Sequence, residues 1–294
     1  MRTLIIGGSG KIGKFFNKSN KNFLLTYYKN KIRNGIKFNL CKDNISSLIK
    51  KYNINKIVLL SAISDPDECF KHKKKSHLIN IKYTKNLISK IKDKNIHLIF
   101  ISTEFVYSGQ KGNYSENSIT SPINIYGKQK LIIENYIKKN IFSYSILRIA
   151  KTYGDNLQIR GLLTDFLNEI LKGKRKFFGA SDQIFSPLYV NDLKKIILLF
   201  LKKKIIGTYN ICGPKSYSRY KIYNLIYENL KKKYPNLKLE IKKININDLK
   251  FPEKRPKNIS LKSFKLNKLI NFKINNIEDI IQGLIKNLKN EKFI

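Results

Sequence analysis

A tyrosine and a lysine four residues apart, Tyr126 and Lys130, are the residues of this sequence best suited to acid–base chemistry. On a helix they project from the same face, one turn apart. A phenol has an unperturbed pKa near ~10, and a neighbouring ammonium lowers it by favouring the phenolate. The pair therefore predicts a proton donor for a developing alkoxide. The alternative is a solvated helix face, because the chain holds 17 Tyr and 59 Lys and Arg.

A glycine-rich string, G-G-S-G-K-I-G, occupies residues 7–13. It lies between a predicted strand and a predicted helix, where Gly7 permits a tight turn and Gly10 lets backbone amides approach a pyrophosphate. Gly13 would let the helix pack closely on the strand. This position predicts a dinucleotide-binding turn. The alternative is a structural turn that binds no ligand.

The second predicted strand, residues 22–28, carries the information on cofactor choice. A carboxylate at its end would bind the ribose hydroxyls of NAD. The strand is followed instead by Lys29 and Lys31, which favours NADP over NAD, although lysines are common everywhere in this chain.

Short apolar runs alternate with amphipathic helical stretches in the first half of the chain. This order predicts an α/β fold, a Rossmann-type doubly wound parallel sheet with a smaller mixed C-terminal lobe. We expect an NAD(P)-binding domain over residues 1–155 and a substrate-binding lobe over residues 156–294, with crossovers back to the main domain. The predicted strands are residues 3–6, 22–28, 35–40, 56–63, 97–103 and 143–150, and the predicted helices are 11–17, 43–52 with Asp43 as cap, 76–91 and 125–139.

The second half of the chain has a looser pattern, and we expect its lobe to close over the carboxyl edge of the sheet. Its predicted elements are helices at 190–203 and 219–234, a strand at 208–212, and a last helix to about residue 290 capped by Asn275 or Asn276. Asp65 and Asp67 are expected to cap a helix rather than to bind a metal. Arg148 and Arg160 are candidates to hold a substrate phosphate.

The formal net charge of +39 invites a nucleic-acid interpretation. Only seven of the basic residues are Arg, which reads base edges, and the lysines are spread along the whole chain. We therefore expect solvated faces and a field that attracts anionic ligands such as pyrophosphates. The N-terminus has no signal-peptide pattern, and the longest apolar run, residues 196–201, is too short to span a bilayer. These features predict a cytoplasmic protein.

Three further segments carry a family resemblance. They are I-S-T-E-F-V-Y-S-G at residues 101–109, P-I-N-I-Y-G-K-Q-K at 122–130, and R-P-K-N at 255–258 followed by Leu261. With the glycine turn, they resemble the extended short-chain dehydrogenase/reductase family, and within it the dTDP-4-dehydrorhamnose reductase-like branch. The resemblance implies a catalytic set of Thr103, Tyr126 and Lys130. Tyr126 would protonate the C4 oxygen of a ketosugar as a nicotinamide delivers hydride.

The same resemblance implies the binding residues. Substrate would contact Thr103, Glu104 and Arg255, and no metal is implied. Cofactor would contact Gly7, Ser9, Gly10, Lys11, Ile12, Gly13, Asn39, Leu40, Ala62, Ile63, Ser64 and Asn80, together with Tyr126 and Lys130. Glu104 and Asn39 stand where the branch has Asp, which leaves the identity of the sugar open.

The expected function is an NAD(P)H-dependent reductase of a 4-keto-6-deoxy nucleotide sugar. Two alternatives stay open. One is a nucleotide-sugar epimerase or dehydratase with tightly bound cofactor. The other is a non-enzymatic regulatory subunit of the methionine adenosyltransferase type. The expected partner is the nucleotide-sugar substrate, with no nucleic-acid polymer and no membrane, and a homodimer is allowed.

Overall fold

A parallel sheet forms the centre of the protein in a computed structural model that describes residues 2–16, 22–157 and 161–288. Within those residues the sheet has seven strands, in the order β11-β6-β5-β4-β1-β2-β3. The strands are β1 Arg2–Ile6, β2 Phe23–Tyr27, β3 Ile36–Lys37, β4 Ile54–Leu59, β5 His97–Thr103, β6 Tyr144–Ile149, β7 Thr152–Tyr153, β8 Lys176–Ala180, β9 Ile184–Phe185, β10 Leu188–Tyr189, β11 Gly207–Ile211, β12 Tyr217–Ser218 and β13 Glu240–Ile244.

The strand order reverses between β1 and β4, which lie side by side although two strands separate them in the sequence. Ligands of open α/β sheets bind at such a point, outside the carboxyl ends of the strands. The predicted doubly wound α/β fold is thereby confirmed. The glycine turn follows β1 at this edge.

Helices cover both faces of the sheet. They are α1 Ile45–Tyr52, α2 Pro66–Lys71, α3 Lys73–His77, α4 Thr84–Ser89, α5 Ile125–Asn140, α6 Leu162–Leu171, α7 Val190–Lys203, α8 Arg219–Lys233, α9 Phe264–Asn267 and α10 Ile277–Lys286. A π-helical turn, Leu78–Tyr83, joins α3 to α4, and a 3₁₀ turn, Glu104–Val106, follows β5. Among the described residues no helix has the length and apolar character needed to cross a membrane.

Apolar side chains point alternately to the two faces of the sheet, and one hydrophobic core lies on each face. Because successive strand side chains point to opposite faces, Ile5 and Val58 join the core under α7, whereas Leu4 and Ile57 join the core under α5. A third core lies in the C-terminal lobe between α6, α8 and α10. The predicted boundary between the two domains, at residues 155 and 156, stays a prediction. β11, which follows that boundary in the sequence, pairs with β6 and so completes the central sheet.

Several local predictions are wrong for physical reasons. Residues 13–16 form a 3₁₀ turn instead of opening an α-helix, and its first residue, Gly13, has a poor helix propensity. Residues 11 and 12 of that predicted helix lie in a turn, and residue 17 falls outside the described residues. Asn44, not Asp43, caps α1 by accepting from Ser46 N at 3.1 Å. The Asp43 carboxylate accepts instead from Asn39 N at 2.6 Å.

In the structure the helix predicted at residues 76–91 is divided among α3, the π-helical turn and α4, and it is preceded by a separate helix, α2, which begins at Pro66. Asp65 caps it by accepting from Asp67 N at 2.8 Å, as predicted for Asp65, while Asp67 lies within the first turn. Asn276 occupies the N-cap position of α10 without a capping side-chain bond. α10 ends at Lys286 with Asn287 as its C-cap, before the predicted end near residue 290, which itself lies outside the described residues.

His97 begins β5 and is 1% exposed. Its ring nitrogens lie 2.8 Å from Ser143 Oγ and 3.0 Å from Ser145 Oγ. Burial, with Lys204 and Lys56 nearby, lowers the pKa of His97 from 6.5 to about 4. Between those two values the unfolded chain binds a proton here that the folded chain does not, so stability falls as the pH falls.

We expect this imidazole to contribute a loss of about 3 kcal/mol in the free energy of unfolding as the pH drops from 6.5 to 4. Urea titrations of the wild type and of His97→Asn at a series of pH values measure it. The variant should lose correspondingly less stability over that range. Equal pH dependence in the two proteins would contradict the assignment.

Candidate active site

A cleft of about 450 Å³ lies beyond the carboxyl ends of β1, β4, β5 and β6. One wall is the glycine turn, and the opposite wall comes from the C-terminal lobe and includes Gln183, Arg219 and Arg255. Thr103, Tyr126 and Lys130 line the space between these walls. The topology thus brings residues far apart in sequence to the reversal point of the sheet.

The glycine turn is shaped by close backbone approach. Gly7 has φ +92°, and a Cβ on it would lie 2.8 Å from Ser61 N in the chain that follows β4. A Cβ on Gly13 would lie 2.5 Å from the carbonyl oxygens of Gly7 and Gly8. Only glycine fits at these two positions, which leaves an open backbone cradle at the mouth of the cleft. Such a cradle suits a pyrophosphate, and the residues present therefore fit a dinucleotide.

The structure brings nine of the residues expected at a cofactor to the cleft wall: Gly7, Gly10, Lys11, Ile12, Gly13, Ala62, Ser64, Tyr126 and Lys130. It does not place Ser9, Asn39, Leu40, Ile63 or Asn80 among the lining residues. Asn39 Oδ1 accepts from Cys41 N at 2.9 Å, so its carboxamide stabilises a local turn. Leu40 packs against the core under α5.

Asn80 acts on the cleft through the main chain. Its Oδ1 accepts from Ile63 N, and its Nδ2 donates to Ile63 O, each at 2.9 Å. Nδ2 also donates to Gln129 Oε1 at 2.7 Å, on the helix that carries Tyr126. This buried amide therefore joins the loop after β4 to α5 and fixes the backbone at Ala62 and Ser64.

Tyr126 is placed by the first turn of α5. Asn124 caps the helix by accepting from Gly127 N at 2.8 Å. The lack of a side chain at Gly127 lets this turn lie against Phe105 O, which a Cβ would approach to 2.2 Å. The Tyr126 ring packs edge-on to Phe105 and is 8% exposed. The Thr103 side chain, at the end of β5, lies close enough to this hydroxyl to lower its pKa.

The prediction that Lys130 lowers the pKa of the Tyr126 phenol is wrong, because that pKa is raised in the folded chain. Burial raises the pKa of Tyr126, and the neighbouring Thr103 side chain offsets that shift only in part. Lys130 Nζ donates to Ile101 O at 2.8 Å and lies 5.9 Å from the centre of the Tyr126 ring. Burial also lowers the pKa of Lys130 to about 8. The phenol is consequently a protonated group at neutral pH, with its proton available to an acceptor.

Arg148 does not reach the cleft, which corrects the expectation that it holds phosphate. Its Nη2 pairs with Glu134 Oε2 of α5 at 2.7 Å, and the two side chains are 3% and 0% exposed. Ser102 Oγ donates to the same carboxylate at 2.5 Å. These three buried side chains, Ser102, Glu134 and Arg148, therefore join α5 to β5 and β6, next to Thr103. Arg160, the other arginine considered, lies outside the described residues.

Glu104 and Arg255, both expected at the substrate, line the cleft. Glu104 is 2% exposed, and its Oε1 accepts from Lys151 N at 3.1 Å. Burial raises the pKa of Glu104 to about 8. Arg255 Nη2 pairs with Asp67 Oδ1 at 2.6 Å, while its Nη1 has no hydrogen-bond partner among the described residues. That buried nitrogen keeps an unsatisfied N–H donor at the cleft wall.

Among the cleft residues that sequence reasoning missed are Lys151, Arg219 and Phe251. Lys151 follows the carboxyl end of a predicted strand, so the rule that located Thr103 could have found it. Arg219 and Phe251 come from the C-terminal lobe and have no local signal. Within the described ranges no group of three or more His, Cys, Asp and Glu residues could hold a metal.

Comparison with known proteins supports the family resemblance. The chain matches the family model described as RmlD substrate binding domain over residues 1–290. The structure of dTDP-4-dehydrorhamnose reductase from Bacillus anthracis in complex with NADP superposes with a TM-score of 0.83 at 22% identity, covering 98% of this chain and 99% of that one.

Two curated proteins give similar sequence matches. Methionine adenosyltransferase 2 subunit beta of Xenopus laevis is 26% identical over 236 residues, which is 75% of this chain and 70% of that protein. The dTDP-4-dehydrorhamnose reductase of Aggregatibacter actinomycetemcomitans is 26% identical over 170 residues, 56% of each chain. Because the family model covers nearly the whole sequence, the chain belongs to the RmlD substrate binding domain family.

Proposed function

We propose that the protein is an NAD(P)H-dependent reductase of a 4-keto-6-deoxy sugar carried by a nucleotide. The observation that carries the proposal is the meeting of Thr103, Tyr126 and Lys130 in the cleft that the glycine turn opens. The dTDP-4-dehydrorhamnose reductases named above share this fold or sequence family. A bound reduced nicotinamide would supply two electrons and one hydrogen to the carbonyl carbon.

The chain's own residues would handle the oxygen of that carbonyl. Tyr126 keeps its proton at neutral pH because burial raises its pKa, so its hydroxyl can donate to the oxygen as negative charge develops there. Thr103 can donate a second hydrogen bond to the same oxygen. Lys130, held by Ile101 O at 2.8 Å, would hold the ribose of the cofactor.

The walls of the cleft would hold the two phosphate-bearing ligands. The glycine turn and Lys11 would bind the pyrophosphate of the dinucleotide. Arg255, with its unpartnered Nη1, would bind the substrate. The choice of NADP over NAD rests on Lys29 and Lys31, both exposed after β2, and on the NADP complex of the Bacillus anthracis protein.

The test is oxidation of NADPH or NADH by purified protein supplied with a dTDP-4-keto-6-deoxyhexose. We expect one cofactor oxidised for each ketosugar reduced, with NADPH used at a lower KM than NADH. No oxidation together with stoichiometric dinucleotide in the purified protein would replace the proposal by an epimerase or dehydratase.

The sequence similarity to a methionine adenosyltransferase subunit suggests a specific test of the regulatory-subunit alternative. No oxidation together with tight binding to a methionine adenosyltransferase catalytic subunit would favour the regulatory function. The presence of Thr103, Tyr126 and Lys130 on one cleft argues for the reductase.

A further inference from the structure

The cleft wall opposite the glycine turn is rich in positive charge. Lys151 and Arg219 line it, beside Arg255, and Lys11 approaches from the turn. Lys151 is open to solvent through the cleft while protein surrounds it on its other sides. Burial, and repulsion from Arg219, Lys11 and Arg255, lower its pKa to about 8. These cations are therefore close enough to repel one another.

Two of the four cations have no counter-ion within the described part of the chain. Arg255 pairs with Asp67 at 2.6 Å, and Lys11 feels the charge of Asp165. Lys151 forms no ion pair there. Arg219 contacts only neutral groups there, since its Nε donates to Gln183 Oε1 at 2.6 Å and its Nη1 to Tyr223 OH at 3.3 Å.

Glu104 is a carboxyl group whose charge, when ionised, attracts Lys151, but it is mostly protonated at pH 7. It is 2% exposed, and burial raises its pKa to about 8. Its Oε1 accepts from Lys151 N, whereas Oε2 has no partner among the residues described. A protonated Oε2 would donate a hydrogen bond rather than supply negative charge.

The position of Lys151 relates this charge to the reacting end of the cleft. Lys151 lies two residues beyond β6, and β6 pairs with β5 so that Ile149 is opposite Thr103. Neighbouring strands lie about 4.8 Å apart. An anion held by Lys151 would therefore belong to the substrate, near the sugar, whereas the pyrophosphate of the cofactor would lie at the glycine turn.

We propose that Lys151 and Arg219 form an anion-binding site for the substrate, which takes a phosphoryl or carboxylate group while Glu104 donates a hydrogen bond to it. The inference rests on the proposed function, in which the second ligand of the cleft is a nucleotide sugar. It makes Lys151 a specificity-determining residue: the cleft favours substrates with negative charge close to the reacting sugar.

The test measures binding by calorimetry with NADPH at saturation, so that the cofactor site is filled. The probes are inorganic pyrophosphate, UDP-glucose and UDP-glucuronate, of which the last two differ only in a sugar carboxylate. We expect Lys151→Met to weaken at least one probe by about tenfold or more. Arg219→Gln should weaken the same probe, and Lys151→Arg should retain most of the affinity.

Lys202→Met is the matched control, because Lys202 is an exposed residue near the end of α7 and its loss changes the net charge equally. It should leave every affinity unchanged. Equal weakening of both nucleotide sugars by Lys151→Met would identify the diphosphate as the bound anion. Weakening of UDP-glucuronate alone would identify the sugar carboxylate.

Binding of all probes by Lys151→Met as in the wild type would overturn the inference, and so would the absence of binding to the wild type. Loss of NADPH affinity in parallel would also overturn it, since the residue would then serve the cofactor. A chain that binds these anions through Lys151 but reduces no ketosugar would retain this inference and lose the proposed reductase function.

Discussion

Replacing Tyr126 by Phe is expected to lower kcat for ketosugar reduction by about 10²–10⁴-fold, the usual contribution of a positioned proton donor. The substitution removes the hydroxyl and keeps a ring that packs edge-on against Phe105. The volume of the 8% exposed side chain is nearly unchanged. NADPH affinity should therefore stay close to that of the wild type. Steady-state kinetics and cofactor titration measure the two effects separately.

Tyr136→Phe is the matched control, because Tyr136 lies on the same helix and its ring contacts Lys85 rather than the cleft. It should retain wild-type kcat. A Tyr126→Phe protein with wild-type kcat would remove this phenol from the chemistry. If kcat and NADPH affinity were instead lost together, the residue would be structural.

Replacing Glu134 by Gln is expected to lower the free energy of unfolding by about 3–5 kcal/mol, since removing one partner leaves a buried charge without compensation. Arg148 contacts both carboxylate oxygens, with Nε–O distances of 3.1 Å and an Nη2–Oε2 distance of 2.7 Å. The guanidinium, 3% exposed, cannot reach bulk water without moving the strand. Denaturant unfolding of the two proteins measures the difference.

An exposed carboxylate provides the comparison. Glu169 pairs with Lys172 at 3.4 Å, and the side chains are 45% and 73% exposed. Glu169→Gln should cost less than about 1 kcal/mol, because solvent screens exposed pairs. The double variant Glu134→Leu, Arg148→Met should recover part of the stability that Glu134→Gln loses. Equal costs for Glu134→Gln and Glu169→Gln would contradict the buried-pair account.

Local sequence patterns were sufficient to predict an element and its bounds where a single physical cause determines them. The strand His97–Thr103 and the helix Val190–Lys203 have the predicted bounds, because an unbroken apolar run and a clear helical periodicity leave little competition. The glycine turn was recognisable since close backbone approach admits only glycine at residues 7 and 13. The fold class followed from the alternation of such elements.

The errors arise where tertiary contacts determine the bounds of an element or the environment of a side chain. The helix cap at Asp65 was predicted, but the bounds of the two short helices that follow it, α2 and α3, were not. Tyr126 and Lys130 do line one cleft, as helical spacing predicts, but the direction of the phenol's pKa shift depends on burial in the folded chain, where Phe105 packs on its ring. Arg148 was ambiguous in sequence because its partner Glu134 comes from a helix 14 residues away. Arg219 reaches the cleft only through the folding of the lobe.

The central claim is that Tyr126 and Lys130 face the nicotinamide of a dinucleotide bound at the glycine turn. A crystal structure of the protein with NADP tests it most directly. We expect a pyrophosphate on the amides of residues 7–13 and a nicotinamide ring beside the Tyr126 hydroxyl, with Lys130 at its ribose. A dinucleotide bound elsewhere, or a Tyr126 hydroxyl directed away from the nicotinamide into solvent, would contradict it.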